Sequence, residues 1–145
     1  MAKMTNTTEK ELCELALQAM ERSYSPYSEY KVGAALLTGS GKVYLGANIE
    51  NAAYSPTVCA ERVAFFKAVN DGERSFSAIA ICGGKHGDAI EFFSPCGVCR
   101  QVMAEFCGSD FYVILCKKDG EYKKYKLSEI LPISFSLNHQ NGDKK

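Results

Sequence analysis

Cys59-Ala60-Glu61-Arg62 and Pro95-Cys96-Gly97-Val98-Cys99 are the two stretches on which the reading of this chain turns. Each opens a run of apolar residues at helical spacing: Val58, Val63, Phe66 and Val69 in the first, Val98, Val102, Met103 and Phe106 in the second. The cysteines therefore fall at predicted helix N-termini. Unpaired backbone N–H groups and the positive end of the helix dipole favour a thiolate there. Two such ends facing each other make a pocket for a dication. Three cysteine ligands leave the fourth tetrahedral position of Zn2+ open to water, as in catalytic rather than structural sites. Glu61 stands two positions after Cys59 and is the candidate proton carrier. A metal-activated water needs a base and a leaving group needs an acid, and one carboxylate can serve both in turn.

Zinc held by three thiolates keeps a net negative charge, which weakens its pull on a bound water. The two helix N-termini offset part of this charge. Arg62 can offset more by donating a hydrogen bond to a thiolate, and Arg100 is placed to do the same beside Cys99. Competing readings are a zinc closed by a fourth cysteine, Cys82 or Cys107, and a redox C-x-x-C pair. The redox reading leaves Cys59-Ala60-Glu61 unexplained.

Outward from these motifs the elements alternate. Thr8-Glu9-Lys10-Glu11 fits a capping box, and Leu12, Leu15, Ala16, Ala19 and Met20 continue a helix to about Arg22. Strands are predicted at Val32 to Thr38, Val43 to Ala47, Phe76 to Cys82, Phe111 to Cys116 and Tyr122 to Leu127. Ile49 to Pro56 reads as an irregular polar loop and Gly83 to Asp88 as a flexible one. A short helix, Ser128 to Leu131, stops at Pro132. The order α-β-β-α-β-α-β-β-α implies one α/β domain, a sheet covered by helices, spanning 1–145 with flexible ends at 1–7 and 139–145.

The 145 residues suit one hydrophobic core, and 46% hydrophobic with 23% charged is an ordinary globular balance. Lysine plus arginine and aspartate plus glutamate both number 17, so no basic excess calls for a nucleic acid or a membrane surface. Seven cysteines without a secretory leader or a membrane-length apolar stretch point to a reduced, cytoplasmic setting. Cys13, Cys82, Cys107 and Cys116 lie among apolar residues and read as inert core cysteines.

The pattern C-x-E…P-C-x-x-C is similar to that of zinc deaminases, with a third cysteine where others have histidine. Over most of its length the chain resembles the small homotetrameric zinc-dependent cytidine deaminases. The likeness is carried by Pro26-Tyr27-Ser28, Val32-Gly33-Ala34-Ala35-Leu36, Gly46-Ala47-Asn48-Ile49-Glu50-Asn51-Ala52-Ala53-Tyr54, Cys59-Ala60-Glu61-Arg62, Ser94-Pro95-Cys96-Gly97-Val98-Cys99-Arg100-Gln101, and Leu131-Pro132 with Phe135. The resemblance implies a three-layer α/β/α fold with a mixed five-stranded sheet and helices on both faces. It implies one zinc per subunit on Cys59, Cys96 and Cys99, with Glu61 catalytic, and a homotetramer with sites at subunit interfaces.

The implied reaction is hydrolytic deamination of cytidine and 2′-deoxycytidine to uridine and 2′-deoxyuridine, with release of ammonia, in pyrimidine salvage. Water adds at C4 while Glu61 takes its proton, protonates N3 and assists ammonia. Asn48 and Glu50 correspond to the family's ribose-binding residues, and their amide and carboxylate suit sugar hydroxyls. Tyr54 corresponds to a tyrosine near the sugar and Phe135 to an aromatic that reaches a neighbouring subunit's site. Ala60 supplies backbone against the pyrimidine edge, as does a carbonyl near Ser94. Tyr30 stands at the family's base-stacking phenylalanine, a departure that still offers a flat face. The alternatives are a deaminase of a related aminated nucleoside such as blasticidin S and, in another class, a non-catalytic zinc-stabilised binding module. A nucleotide or polynucleotide substrate is disfavoured, because Glu50 beside the sugar repels a 3′-phosphate.

Overall fold

Thr8 starts the first helix as the capping box requires. Its hydroxyl accepts from Glu11 N at 3.1 Å, and the Glu11 carboxylate accepts from Thr8 N at 3.0 Å. A computed structural model describes residues 7–137, so the expected flexible ends lie, apart from Thr7, outside the described residues. Helix α1 (Glu9–Ala19) passes into a short 3-10 turn at Met20–Arg22. Strands β1 (Tyr30–Thr38) and β2 (Val43–Ala47) form a hairpin, followed by α2 (Ala60–Asn70), β3 (Phe76–Lys85), α3 (Gly97–Phe106), β4 (Tyr112–Cys116), β5 (Tyr122–Lys126) and the short α4 (Leu127–Ile130).

The sheet order is β2-β1-β3-β4-β5, antiparallel throughout except for the parallel β3–β4 pair. Side chains alternate across β1. Ala35 and Leu37 pack with Leu12, Ala16 and Met20 beneath α1, while Ala34 and Leu36 pack with Ala64, Phe65 and Met103 on the opposite face. The chain is thus an α/β/α sandwich with a mixed five-stranded sheet, as the sequence implied.

Strand direction places the helix starts. β2 and β3 both run antiparallel to β1, so they point the same way. α2 follows β2, α3 follows β3, and both helices pack on one face. Their N-termini therefore open at one edge of the sheet, beyond the carboxyl ends of two strands separated only by β1, about 10 Å apart.

Small residues set how closely the helices sit. A Cβ on Gly46 of β2 would lie 2.3 Å from Ala60 O and 2.7 Å from Ala64 N, and one on Gly33 would lie 2.2 Å from Ala16 O. The buried stripe of α2 is Ala60, Glu61, Ala64, Phe65 and Ala68. The apolar residues that marked the helix in the sequence, Val63, Phe66 and Val69, are not in this stripe; Phe66 is 50% exposed. Ala60 and Ala64 stand where the helix backbone comes closest to Gly46, and Phe65 is buried beside them against Phe76, Phe106 and Phe111. In α3 the buried residues are Cys99, Met103 and Ala104, and Val98 faces outward.

The segment from Gly83 to Asp88 is also more ordered than expected. Gly83, Gly84 and Lys85 extend β3 and pair with Val32, Lys31 and Tyr30. Gly46→Ala should destabilise the fold by about 3 kcal/mol, as overpacking does when backbone must move. Denaturant unfolding of the variant checks this.

Candidate active site

Cys59 is the N-cap of α2 and Cys96 the N-cap of α3, both with extended backbone. Cys99 lies three positions further into α3. The helices bring the sulfurs together: Cys59 Sγ to Cys96 Sγ is 3.7 Å, Cys96 Sγ to Cys99 Sγ is 3.6 Å, and all three lie within 4.8 Å of one another. This is the one group of metal-ligating side chains of this size found among the described residues. A soft three-sulfur donor set at two helix N-termini fits a single zinc ion.

Neither proposed fourth cysteine can close the set. Cys82 packs under α1 on the opposite face of the sheet. Cys107 is the C-cap of α3, about 12 Å along the chain axis from Cys99. Cys13, Cys82, Cys107 and Cys116 are all buried.

Arg62 Nη2 donates to Cys59 Sγ at 3.4 Å. The Cys59 thiol is lowered to about 5. The hydrogen bond from Cys99 contributes most, and bonds from Arg62 and Cys96 add to it against the opposing effect of burial. Cys99 is pushed well up by the same shared bond with Cys59 and by burial. The expectation for Arg100 is not met. Its guanidinium donates to Pro95 O at 2.8 Å and Ile130 O at 2.7 Å, tying the α3 start to α4 instead of reaching a sulfur.

Glu61 is only 3% exposed, and its Oε1 has no hydrogen-bond partner. Burial raises its carboxyl to about 7, with the nearby Cys59 adding to the effect. A buried carboxylate oxygen without a partner is costly, on the order of 1–3 kcal/mol. It faces a cavity of about 340 Å3 whose wall includes Tyr30, Asn48, Thr57, Cys59, Ala60 and Phe93. An orphaned acceptor beside three thiols fits a polar group supplied by a ligand or a metal.

Asn48, 8% exposed, also braces this wall. Its Oδ1 accepts from Val32 N at 2.9 Å and from Ser23 Oγ at 2.6 Å, and its Nδ2 donates to Tyr30 O at 2.8 Å. One amide N–H is left over for the cavity. Glu50 is engaged elsewhere: its Oε1 accepts from Tyr27 N and Ser28 N, and its other oxygen accepts from the Ser28 hydroxyl. Desolvation pushes its carboxyl up, and these three bonds together outweigh it and hold the carboxyl below its ordinary value.

Glu50 and Tyr54 line an adjoining depression, joined to the Glu61 cavity at Thr57. Tyr54 is 74% exposed on a left-handed backbone, φ 65°. Phe135 is 67% exposed and does not line the cavity; its carbonyl accepts from Gln101 Nε2 at 3.1 Å. Thr57 and Phe93 are cavity residues that sequence reading missed. The one trace of Phe93 was its position three residues before Cys96.

Three sulfurs that could hold a zinc, one buried carboxyl and an aromatic-walled cavity are the donor set and lining that a hydrolytic zinc deaminase requires. Comparison with known proteins agrees. Residues 6–115 match the family described as the cytidine and deoxycytidylate deaminase zinc-binding region, and the chain belongs to that family. It is 50% identical over 119 residues to the cytidine deaminase of Sporosarcina psychrophila, covering 82% of this chain and 85% of that one. It is 30% identical over 132 residues to the blasticidin-S deaminase of Bacillus cereus, covering 88% and 92%. The crystal structure of cytidine deaminase from Burkholderia pseudomallei superposes with a TM-score of 0.81 at 43% identity, covering 88% of this chain and 99% of that one. Among the described residues no helix is long and apolar enough to cross a membrane.

Cys96→Ser should lower bound zinc from about one per chain to below about a tenth. Metal analysis after dialysis against buffer measures it.

Proposed function

We propose that this chain is a cytoplasmic cytidine deaminase of pyrimidine salvage. It converts cytidine and 2′-deoxycytidine to the uridine nucleosides and ammonia as a single catalytic domain. The observation that carries this reading is the buried Glu61 carboxylate, its Oε1 without a partner, lining one cavity beside three convergent thiols.

Cys59, Cys96 and Cys99 would hold the zinc, which when bound lowers the pKa of a water and so supplies a nucleophile near neutral pH. Glu61 receives that water's proton, delivers it to N3 of the ring and then assists the departing ammonia. Arg62 draws charge from Cys59 through its hydrogen bond, which lets a three-thiolate set still serve an electrophilic metal. The Asn48 amide N–H left free by Tyr30 donates to a ribose hydroxyl. Glu50, with its second oxygen turned to Ser28, meets the sugar across the Thr57 boundary with Tyr54. The backbone at Ala60, with Ser94 nearby, meets the pyrimidine edge.

A homotetramer with sites at subunit interfaces completes the proposal. Phe66, Val98 and Phe135 are large apolar side chains left exposed on α2, α3 and the C-terminal segment. Phe135 is exposed and does not line its own chain's cavity, which leaves it available to a neighbouring site.

The similarity to a blasticidin-S deaminase keeps a second substrate in view, a nucleoside antibiotic with the same aminated ring. Ultraviolet assays on cytidine and blasticidin S in parallel, with and without a zinc chelator, test both. Faster, chelator-sensitive turnover of cytidine is expected. Absence of turnover by zinc-loaded protein would favour the non-catalytic zinc module.

Glu61→Gln should keep zinc and lose about 100-fold or more in kcat, the range for a general acid–base group. A hydrated-pyrimidine nucleoside should bind at least about 100-fold tighter than cytidine, because catalysis favours the tetrahedral adduct. Similar inhibition and Michaelis constants would contradict the mechanism.

A further inference from the structure

We infer that Phe93 is a base-binding residue of this cavity and, with Tyr30, forms a two-ring aromatic wall for the flat face of an aminated pyrimidine. The inference rests on the functional reading above and assigns the base contact to a specific, fixed side chain.

Four observations meet at Phe93. Its ring lines the same cavity as Glu61, Cys59 and Cys96. It lies three residues before Cys96, so the chain that places a sulfur also places the ring. Its centroid is 6.2 Å from that of Tyr30, with the planes 35° apart. That separation leaves no room for a base between the rings, and both residues line the one cavity. Finally, the ring sits over Gly83 of β3: a Cβ there would lie 3.1 Å from Phe93 Cγ and 3.0 Å from Val32 Cγ2. The glycine thus makes the space that lets the ring lie down on the sheet.

The two rings differ in how firmly they are held. Tyr30 opens β1 and is 43% exposed, with its backbone carbonyl pinned by Asn48. Phe93, in the extended segment between β3 and α3, is half-buried, packed against the Gly83 backbone and lining the cavity. An apolar ring held in place loses little entropy on stacking and leaves no hydroxyl to satisfy. A planar single-ring heterocycle is the ligand such a wall selects.

The test pairs turnover with binding. Kinetics on cytidine and calorimetric titration with uridine are measured for zinc-loaded wild type, Phe93→Leu, Phe93→Tyr, Gly83→Ala and the Gly83→Ala/Phe93→Leu double variant. Zinc content and thermal midpoint are checked for each. Phe93→Leu fills the space over Gly83 without a π face. It should weaken uridine binding and raise KM for cytidine on the order of 10- to 100-fold, with kcat within about threefold. Phe93→Tyr, which keeps the ring, should stay within about threefold of wild type in both. Gly83→Ala should raise KM by displacing the ring, and should add little once Phe93 is leucine.

A Phe93→Leu protein that holds zinc, melts normally and binds uridine as wild type does overturns the inference. Uridine binding that depends on Phe93 without turnover of cytidine overturns the catalytic reading and leaves the aromatic wall standing. Wild-type protein that neither binds uridine nor acts on cytidine overturns both.

Discussion

Everything at the site depends on two strands pointing the same way with one antiparallel strand between them. Because β2 and β3 share a direction, the helices that follow them start at one edge of the sheet. That edge gathers the first-turn N–H groups and positive dipole ends of two helices into a small volume, a standing demand for negative charge. Cysteines at both N-cap positions answer it. Their thiols make no capping hydrogen bond, so the sulfurs stay available to a metal.

The close packing of α2 follows from the same constraint. Gly46 and the alanines of α2 bring helix and strand backbones almost into contact. That closeness buries Glu61 in the first turn, where a glutamate ordinarily reaches water. Burial without a partner is a local cost that the alanine and phenylalanine packing around it offsets. Arg62, one residue on, turns to Cys59, so successive residues of one helical turn bring a carboxyl and a guanidinium to the same spot.

The element order and the capping box at Thr8 were legible because they rest on local patterns. The three sulfurs were legible because metal ligation demands particular residue types at particular spacings. The buried stripe of α2 was not, because a hydrophobicity scale ranks valine and phenylalanine above alanine, whereas at the near-contact with Gly46 the helix carries alanines, Ala60 and Ala64. Arg100 was misread for a related reason: adjacency to Cys99 in sequence says nothing of direction, and its side chain points back to Pro95 O and Ile130 O. Gly83 to Lys85 looked like a flexible loop because three of the six residues to Asp88 are glycines. The ladder with Tyr30 to Val32 makes it strand. Phe93 left no periodic trace, since a residue between elements belongs to no helix or strand pattern.

β5 has a consequence of another kind. It is an outer strand of the sheet, with Lys123, Lys124 and Lys126 all exposed. Lys124 also pairs with Glu9 of α1, and Lys123 sits 4.8 Å over the Phe92 ring. An unpaired strand edge is a template for fibre growth, and a row of ammonium groups makes a second copy of the same strand electrostatically unwelcome. Copies of this chain are thereby discouraged from stacking sheet to sheet at that edge, which leaves the exposed apolar side chains of the helices as the surfaces through which they can associate without polymerising.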